Sequence, residues 1–279
     1  MSPRWPVRDR EIDLSRSCVM GILNVTPDSF SDGGRYLDAT AAVRRVEELL
    51  GAGADILDIG GESTRPGAAP VSATEETARI LPAVAEAVRL GATVSVDTSK
   101  AAVAEAALER GAHIINDVTA LGDPAMGPLA AASGAGLVLM HMRGTPRTMQ
   151  QAPVYADLCG EIAGFLETRR ETAENQGVER DRIVLDPGVG FGKTVEHNLK
   201  ILAGLESFLA LGSPVLVGVS RKRFLGAVTG VEDPQKRTAG SLAAAVAARL
   251  RGASIFRVHD VAATGEALAV ADAILARDH

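Results

Sequence analysis

Residues 92–118 read ATVSVDTSKAAVAEAALERGAHIINDV. The first run, 92–97, is short, rich in β-branched residues and closes on Asp97. A stretch of Ala, Glu and Arg follows over 100–110 with helical periodicity. A second apolar run, 113–118, then carries Asn116 and Asp117 near its end. Near-continuous apolar runs read as strands buried on both faces, and two such strands joined by a helix make a parallel β-α-β unit. Working outward, the same beat recurs at 19–25, 54–60, 136–142, 182–187, 214–220 and 254–260. Helical stretches at 40–52, 74–90, 156–176, 198–211 and 238–251 lie between these runs. Strict alternation leaves an open doubly wound sheet or a closed barrel. Eight beats in 279 residues predict an α/β protein with a single (β/α)8 TIM barrel. No linker composition interrupts it, so one domain over 1–279 is expected, with 1–17 as an N-terminal extension.

Composition narrows the function. The chain is 46% apolar and 23% charged with a net charge of −6, which gives no general attraction for nucleic acid. No apolar run approaches the ~18 residues of a membrane span, and the N-terminus lacks the apolar core of a secretory signal. Cys18 and Cys159 show neither metal-ligand spacing nor disulfide density, the usage of a reducing cytoplasm. A cytoplasmic protein with no membrane and no nucleic-acid partner is expected.

In a barrel of this kind the chemistry sits at the C-terminal rim of the strands. Every run ends in polar residues: Asn24; Asp58 with Glu62; Asp97; Asn116 and Asp117; His141; Asp186; Ser220 to Lys222; Arg257 and His259. One such residue alone reads as a turn-former or helix cap; eight together read as a site. Strand parity sharpens this, because alternate side chains share a face. Ile56 aligns with Asp58, Ser95 with Asp97, Ile114 with Asn116, Val184 with Asp186 and Arg257 with His259. If those faces point inward, carboxylates, an amide and cationic donors converge on one mouth, and a polar ligand would offset the cost of burying them.

Three features need separate readings. Residues 188–194, GVGFGKT, fail the Walker spacing because Pro187 stands where the first glycine is required. They read instead as a flexible glycine loop in which Phe191 can stack on something flat and Lys193 is solvated. The basic run from Ser220 to Arg223 lies where barrels often bind anions, next to Arg257 and His259. The loops 26–34 and 60–67, rich in Gly, Ser, Asp and Pro, read as lids. His113 and His141 read as satisfied structural histidines, and His197 shows no evident partner. Asn24, Asp28 and Asp32 offer oxygen ligands for a hard ion such as Mg2+, which binds through few protein oxygens plus substrate phosphate.

These residues also form recognisable motifs. VMGILNVTPDSFSDGG (19–34) and DIGGESTRPG (58–67) resemble the first two signatures of the dihydropteroate synthase family. DPGVGFGK (186–193), Ser220-Arg221-Lys222 and Arg257-Val258-His259-Asp260 complete the set. The departures, Ser99 and Thr119, touch no proposed contact. The resemblance implies a TIM-barrel homodimer of folate biosynthesis. Such an enzyme condenses 6-hydroxymethyl-7,8-dihydropterin diphosphate with p-aminobenzoate, using Mg2+, and releases diphosphate. It places Asp97, Asn116, Asp186, Phe191 and Lys222 around the pterin. Asn24, Arg65, Arg257 and His259 fall on the diphosphate, with Asn24 also facing the metal. Phe30, Asp32, Thr64, Pro66 and Ser220 shape the p-aminobenzoate site. Asn24, Lys222 and Arg257 carry the catalytic roles. The related methyltetrahydrofolate methyltransferases need no diphosphate site, so the Asn24, Arg65, Arg257 and His259 group favours the synthase. Ordering of both loops by Mg2+-diphosphate would build the pocket for p-aminobenzoate, or for a sulfonamide resembling it.

Overall fold

The structure, a computed structural model, describes residues 3–26, 35–63, 70–145, 148–149 and 153–277, with only the backbone of 35–39. Eight parallel strands form the central sheet: β3 (Cys18–Asn24), β4 (Ile56–Gly60), β5 (Thr93–Asp97), β6 (Ile114–Asp117), β7 (Gly136–Met140), β8 (Ile183–Asp186), β9 (Leu216–Val217) and β10 (Ile255–Val258). They pair in the order β8-β7-β6-β5-β4-β3-β10-β9. A parallel bridge between Leu185 and Val215 joins the two end strands and closes the barrel at a narrow seam. The expected α/β barrel is the observed fold.

Parity divides the strands as read from the sequence. Val19, Leu57, Val94, Ile115, Leu137, Leu185, Val217 and Phe256 belong to the outer core beneath the helices. Met20, Ile56, Ile114, Val138, Val184, Leu216 and Ile255 form a separate inner cluster. Directly above that inner layer, two positions on, stand Asp58, Asn116, Asp186 and Arg257. The inner cluster is thus a floor, and the polar residues line the mouth above it.

Helices follow the strands: α1 (Arg35–Gly51), α2 (Ala73–Arg89), α3 (Ala101–Glu109), α4 (Met126–Ser133), α5 (Leu158–Asn175), α6 (Val195–Ala203), α7 (Glu206–Leu209), α8 (Arg223–Thr229), α9 (Thr238–Leu250) and α10 (Val261–Leu275). The single helix expected over 198–211 is two. It begins earlier, where the Thr194 hydroxyl accepts from the His197 N–H and the His197 ring accepts from the Thr194 N–H, a reciprocal cap. It stops at Gly204 before α7 starts. His197, read as partnerless, is therefore a capping residue.

The N-terminal segment is a hairpin, β1 (Arg4–Val7) and β2 (Arg10–Asp13), turned at Arg8 and Asp9. Pro6 and the charges hid it, yet Pro is tolerated in a two-stranded edge ribbon. Trp5, Val7 and Leu14 join the inner cluster and stop the barrel's lower end. The Trp5 Nε1–H donates to the Arg182 carbonyl at 2.8 Å, and Arg8 donates to the carbonyls of Leu108 and Ala112. Gly136 makes room: a Cβ there would lie 2.5 Å from Val7 Cγ1 and 2.9 Å from Trp5 Cζ2. Trp5→Phe keeps most of the apolar contact but orphans the Arg182 carbonyl. It is expected to cost about 1–2 kcal/mol in denaturant unfolding. A change below about 0.3 kcal/mol would show that the hydrogen bond contributes nothing.

Candidate active site

Strand register assembles the acceptors. Asp58 pairs with Ser95, Gly60 with Asp97, Asp97 with Asn116 and Met140 with Asp186. Asp58, Asp97, Asn116 and Asp186 are all buried. Arg257 reaches across from β10, its Nε donating to Asp58 Oδ2 and its Nη2 to Asp97 Oδ2, both at 2.6 Å. Asn116 Nδ2 donates to the same Asp58 oxygen at 3.2 Å. The other Asp58 oxygen and the Ser95 hydroxyl are buried without a partner.

Burying so many charges leaves several near the edge of ionisation. Burial pushes the Asp97 carboxyl up to about 7; Arg257 opposes the rise and Asp58 adds to it. Burial also raises Asp186, against the pull of Lys222 and of the Gly188 N–H, which donates to Asp186 Oδ1 at 2.7 Å. Lys222 is drawn down to about 8 by the same desolvation. Such a mouth suits a flat ligand bearing N–H donors, because each bond to a carboxylate restores part of the lost hydration.

The cationic wall comes from the ends of β8, β9 and β10. The Lys222 ammonium donates to the Val189 carbonyl and lies 4.7 Å from the centre of the Phe191 ring. Ser220 Oγ accepts from the His259 backbone N–H and lies 3.0 Å from its Nδ1. Between them Arg221 adopts φ +59°, an uncommon conformation for a bulky non-glycine residue. Its N–H donates to Ser241 Oγ, its carbonyl accepts from Arg237, and its guanidinium grips Asp260 with two hydrogen bonds. Strain is concentrated where the site turns, and surrounding bonds hold it there.

The glycine loop after β8 is equally specific. Gly188 has φ +67°, and a Cβ on it would fall 1.9 Å from the His141 carbonyl oxygen. Gly190 donates to Asn198 Oδ1 at 2.6 Å. Lys193 is not solvated as expected: it is 3% exposed and folds back under the loop. His141 is the buried, partnered histidine the sequence indicated, and His113 is buried with its Nδ1 accepting from the Val94 N–H.

Asn24 ends β3, half-buried, on the parity of Met20 and hence of the interior. Phe30, Asp32, Thr64, Arg65 and Pro66, with Asp28, lie outside the described residues. The base of the second loop is described: Glu62 accepts from the Val71 N–H and from Lys100, whose ammonium also meets Glu76, a carboxylate 1% exposed. Sequence reasoning passed over this group and left Asp58 unassigned. Parity with Ile56 marked Asp58 as inward-facing, whereas nothing local marks Glu76, whose partner is 24 residues away.

Buried carboxylate and amide acceptors at the C-terminal mouth of the barrel define a barrel enzyme whose ligand offers N–H donors. Residues 20–259 match the family model described as pterin binding enzyme. The dihydropteroate synthase of Escherichia coli (strain K12) is 48% identical over 265 residues, 95% of this chain and 94% of its own. The Xanthomonas albilineans dihydropteroate synthase with 4-aminobenzoic acid superposes with a TM-score of 0.93 at 47% identity, covering 99% of both chains. The same enzyme in complex with 7,8-dihydropteroate gives 0.90 at 45% identity, over 98% of this chain and 99% of that one. The chain belongs to the dihydropteroate synthase family.

Proposed function

We propose that this protein joins 6-hydroxymethyl-7,8-dihydropterin diphosphate to p-aminobenzoate, giving 7,8-dihydropteroate and diphosphate. The observation that carries this reading is the gathering of Asp97, Asn116 and Asp186 at one mouth, with Lys222 over the Phe191 ring beside them. The carboxylates and amide accept from the pyrimidine edge of the pterin, and Lys222 donates to its acceptor side. Arg257 and His259 take the diphosphate, together with Asn24 and Arg65. Phe30, Asp32, Thr64, Pro66 and Ser220 form the arylamine side. The arylamine nitrogen attacks the exocyclic methylene carbon as its bond to the diphosphate oxygen breaks, and the anilinium proton passes to water. Positioning therefore supplies most of the rate, with Arg257 meeting charge on the departing oxygen.

Among the described residues no group of three or more His, Cys, Asp or Glu could hold a metal. The neutral amide oxygen of Asn24 is a hard donor that fits Mg2+ carried in by the diphosphate, whose oxygens and water complete the shell. Bound there, Mg2+ would neutralise charge on the phosphoryl oxygens.

A cytoplasmic homodimer belongs to the same reading. Val228, Leu250, Val270 and Ile274 are exposed on the packed helices α8, α9 and α10, which supports a self-association face. No described helix is long and apolar enough to cross a membrane.

The direct test is diphosphate release assayed with each substrate alone and with both. Release only when both are present is expected; release without the arylamine would overturn the synthase reading. A pH dependence follows from Asp97. Its carboxylate is the accepting form, so protonation below about 7 removes an acceptor from the pterin. Pterin affinity is expected to fall as pH drops through 7, by up to about tenfold per unit. Asp97→Asn should flatten that limb, and calorimetric titration from pH 8 to 5.5 showing identical slopes would remove Asp97 from the contact.

A further inference from the structure

Lys193 and His141 were each unremarkable in the sequence and meet in the fold. Lys193 Nζ donates to the Phe191 carbonyl at 2.9 Å and to the His141 carbonyl at 3.3 Å, and lies 2.9 Å from the His141 Nδ1. Nζ thus has three polar partners in a buried place, and burial draws Lys193 down to about 7 while Asp186 opposes the fall. A ring that accepts at Nδ1 carries its proton on Nε2 and is neutral. In keeping with this, burial and the adjacent Lys193 charge draw His141 down to about 3. The ring is wedged edge-on against Phe165, with centroids 5.0 Å apart.

The loop that Lys193 grips is the one that holds Lys222. Gly188, Gly190 and Gly192 have φ of +67°, +88° and +63°, so the backbone between β8 and α6 turns its carbonyls alternately. The Phe191 carbonyl goes to Lys193 and the Val189 carbonyl to Lys222. The Tyr155 hydroxyl donates to the Gly192 carbonyl from outside. Without the ammonium, a glycine-rich segment with this freedom loses its central fastening. Lys222 would then lose both the carbonyl and the ring that place it beside Asp186.

We propose that Lys193, seated on His141, is a positioning residue for the pterin site, locking residues 188–192 so that Val189 and Phe191 hold Lys222 at the mouth where its charge acts on Asp186. This rests on the reading of that mouth as the pterin site. It deepens that reading by assigning pterin affinity to a side chain that need not touch the pterin.

The test compares Lys193→Met with the wild type in two measurements. One is calorimetric titration with a phosphate-free pterin. The other is steady-state kinetics in each substrate at saturation of the other. The expected result is a pterin Kd and a KM for the pterin diphosphate raised at least tenfold, with the KM for p-aminobenzoate within about threefold of wild type. A merely structural role would lower the unfolding midpoint and leave the kinetic constants of the folded enzyme unchanged. Wild-type pterin affinity in the variant overturns the proposal, and so does an equal loss for both substrates. If Lys193→Met does not fold, His141→Ala decides, because it removes one acceptor and keeps the ammonium. Pterin affinity about threefold weaker supports the lock, and unchanged affinity overturns it. A wild type that binds pterin but makes no dihydropteroate would sink the proposed function while leaving this inference standing.

Discussion

Arg257→Ala is expected to destabilise the fold by about 3–5 kcal/mol and to weaken every pterin ligand, with or without a diphosphate. Breaking a buried ion pair by deleting one partner leaves an uncompensated charge, which is where the magnitude comes from. Here one guanidinium serves two carboxylates, one of them fully buried. The sequence placed Arg257 on the diphosphate, an assignment that by itself would leave a phosphate-free pterin nearly unaffected. The contact with Asp97 changes that, because losing Arg257 perturbs an acceptor of the ring itself. The deficit should depend on pH. Asp97 is raised even with Arg257 present and goes higher without it. The folded variant therefore holds a proton that the unfolded chain has released above about pH 4. Stability consequently falls as pH rises from about 4 toward and beyond 7, since the unfolded state binds fewer protons there. Urea unfolding at pH 5 and 8 reads this directly. A loss under about 1 kcal/mol at pH 8 would mean that water replaces the guanidinium.

Asp186→Asn should leave the fold nearly intact and reduce pterin affinity roughly 30- to 150-fold, about 2–3 kcal/mol. The asparagine oxygen can still accept from the Gly188 N–H, so the loop that starts there keeps its anchor. What is lost is the negative charge facing Lys222 and one acceptor facing the ligand. Calorimetric titration with a pterin, alongside thermal unfolding, separates the two effects. Unchanged affinity would exclude Asp186 from the site, and an equally large loss of stability would make its role structural.

The barrel was legible because parallel strands buried on both faces carry an apolar signal that survives without tertiary information. Asp97, Asn116, Asp186 and Arg257 were legible through parity: once Ser95, Ile114, Val184 and Ile255 face inward, so do the residues two positions on. The hairpin was not legible, because the Trp5/Val7 alternation spans only four residues and is broken by Pro6, and its stability comes from a seat more than 100 residues away. Lys193 was misread for a related reason. A lysine after a glycine loop is solvated unless the loop folds back, and the acceptor that buries this one, His141, is 52 residues distant. Local rules speak to patterns that repeat within a few residues; a single long-range partner leaves no local trace.

The hairpin that stops the lower end of the barrel also bears on the order of events during synthesis. Trp5 leaves the ribosome well before its hydrogen-bond partner, which lies 177 residues later. The apolar floor it rests on is not complete until Ile255. At translation rates of roughly 5–20 residues per second, the indole must wait on the order of ten seconds or more before its berth exists. Through that interval the nascent chain carries an exposed aromatic, a natural foothold for a chaperone. Seating it becomes a late closing step that couples the hairpin to β10 and reports that the barrel floor is complete.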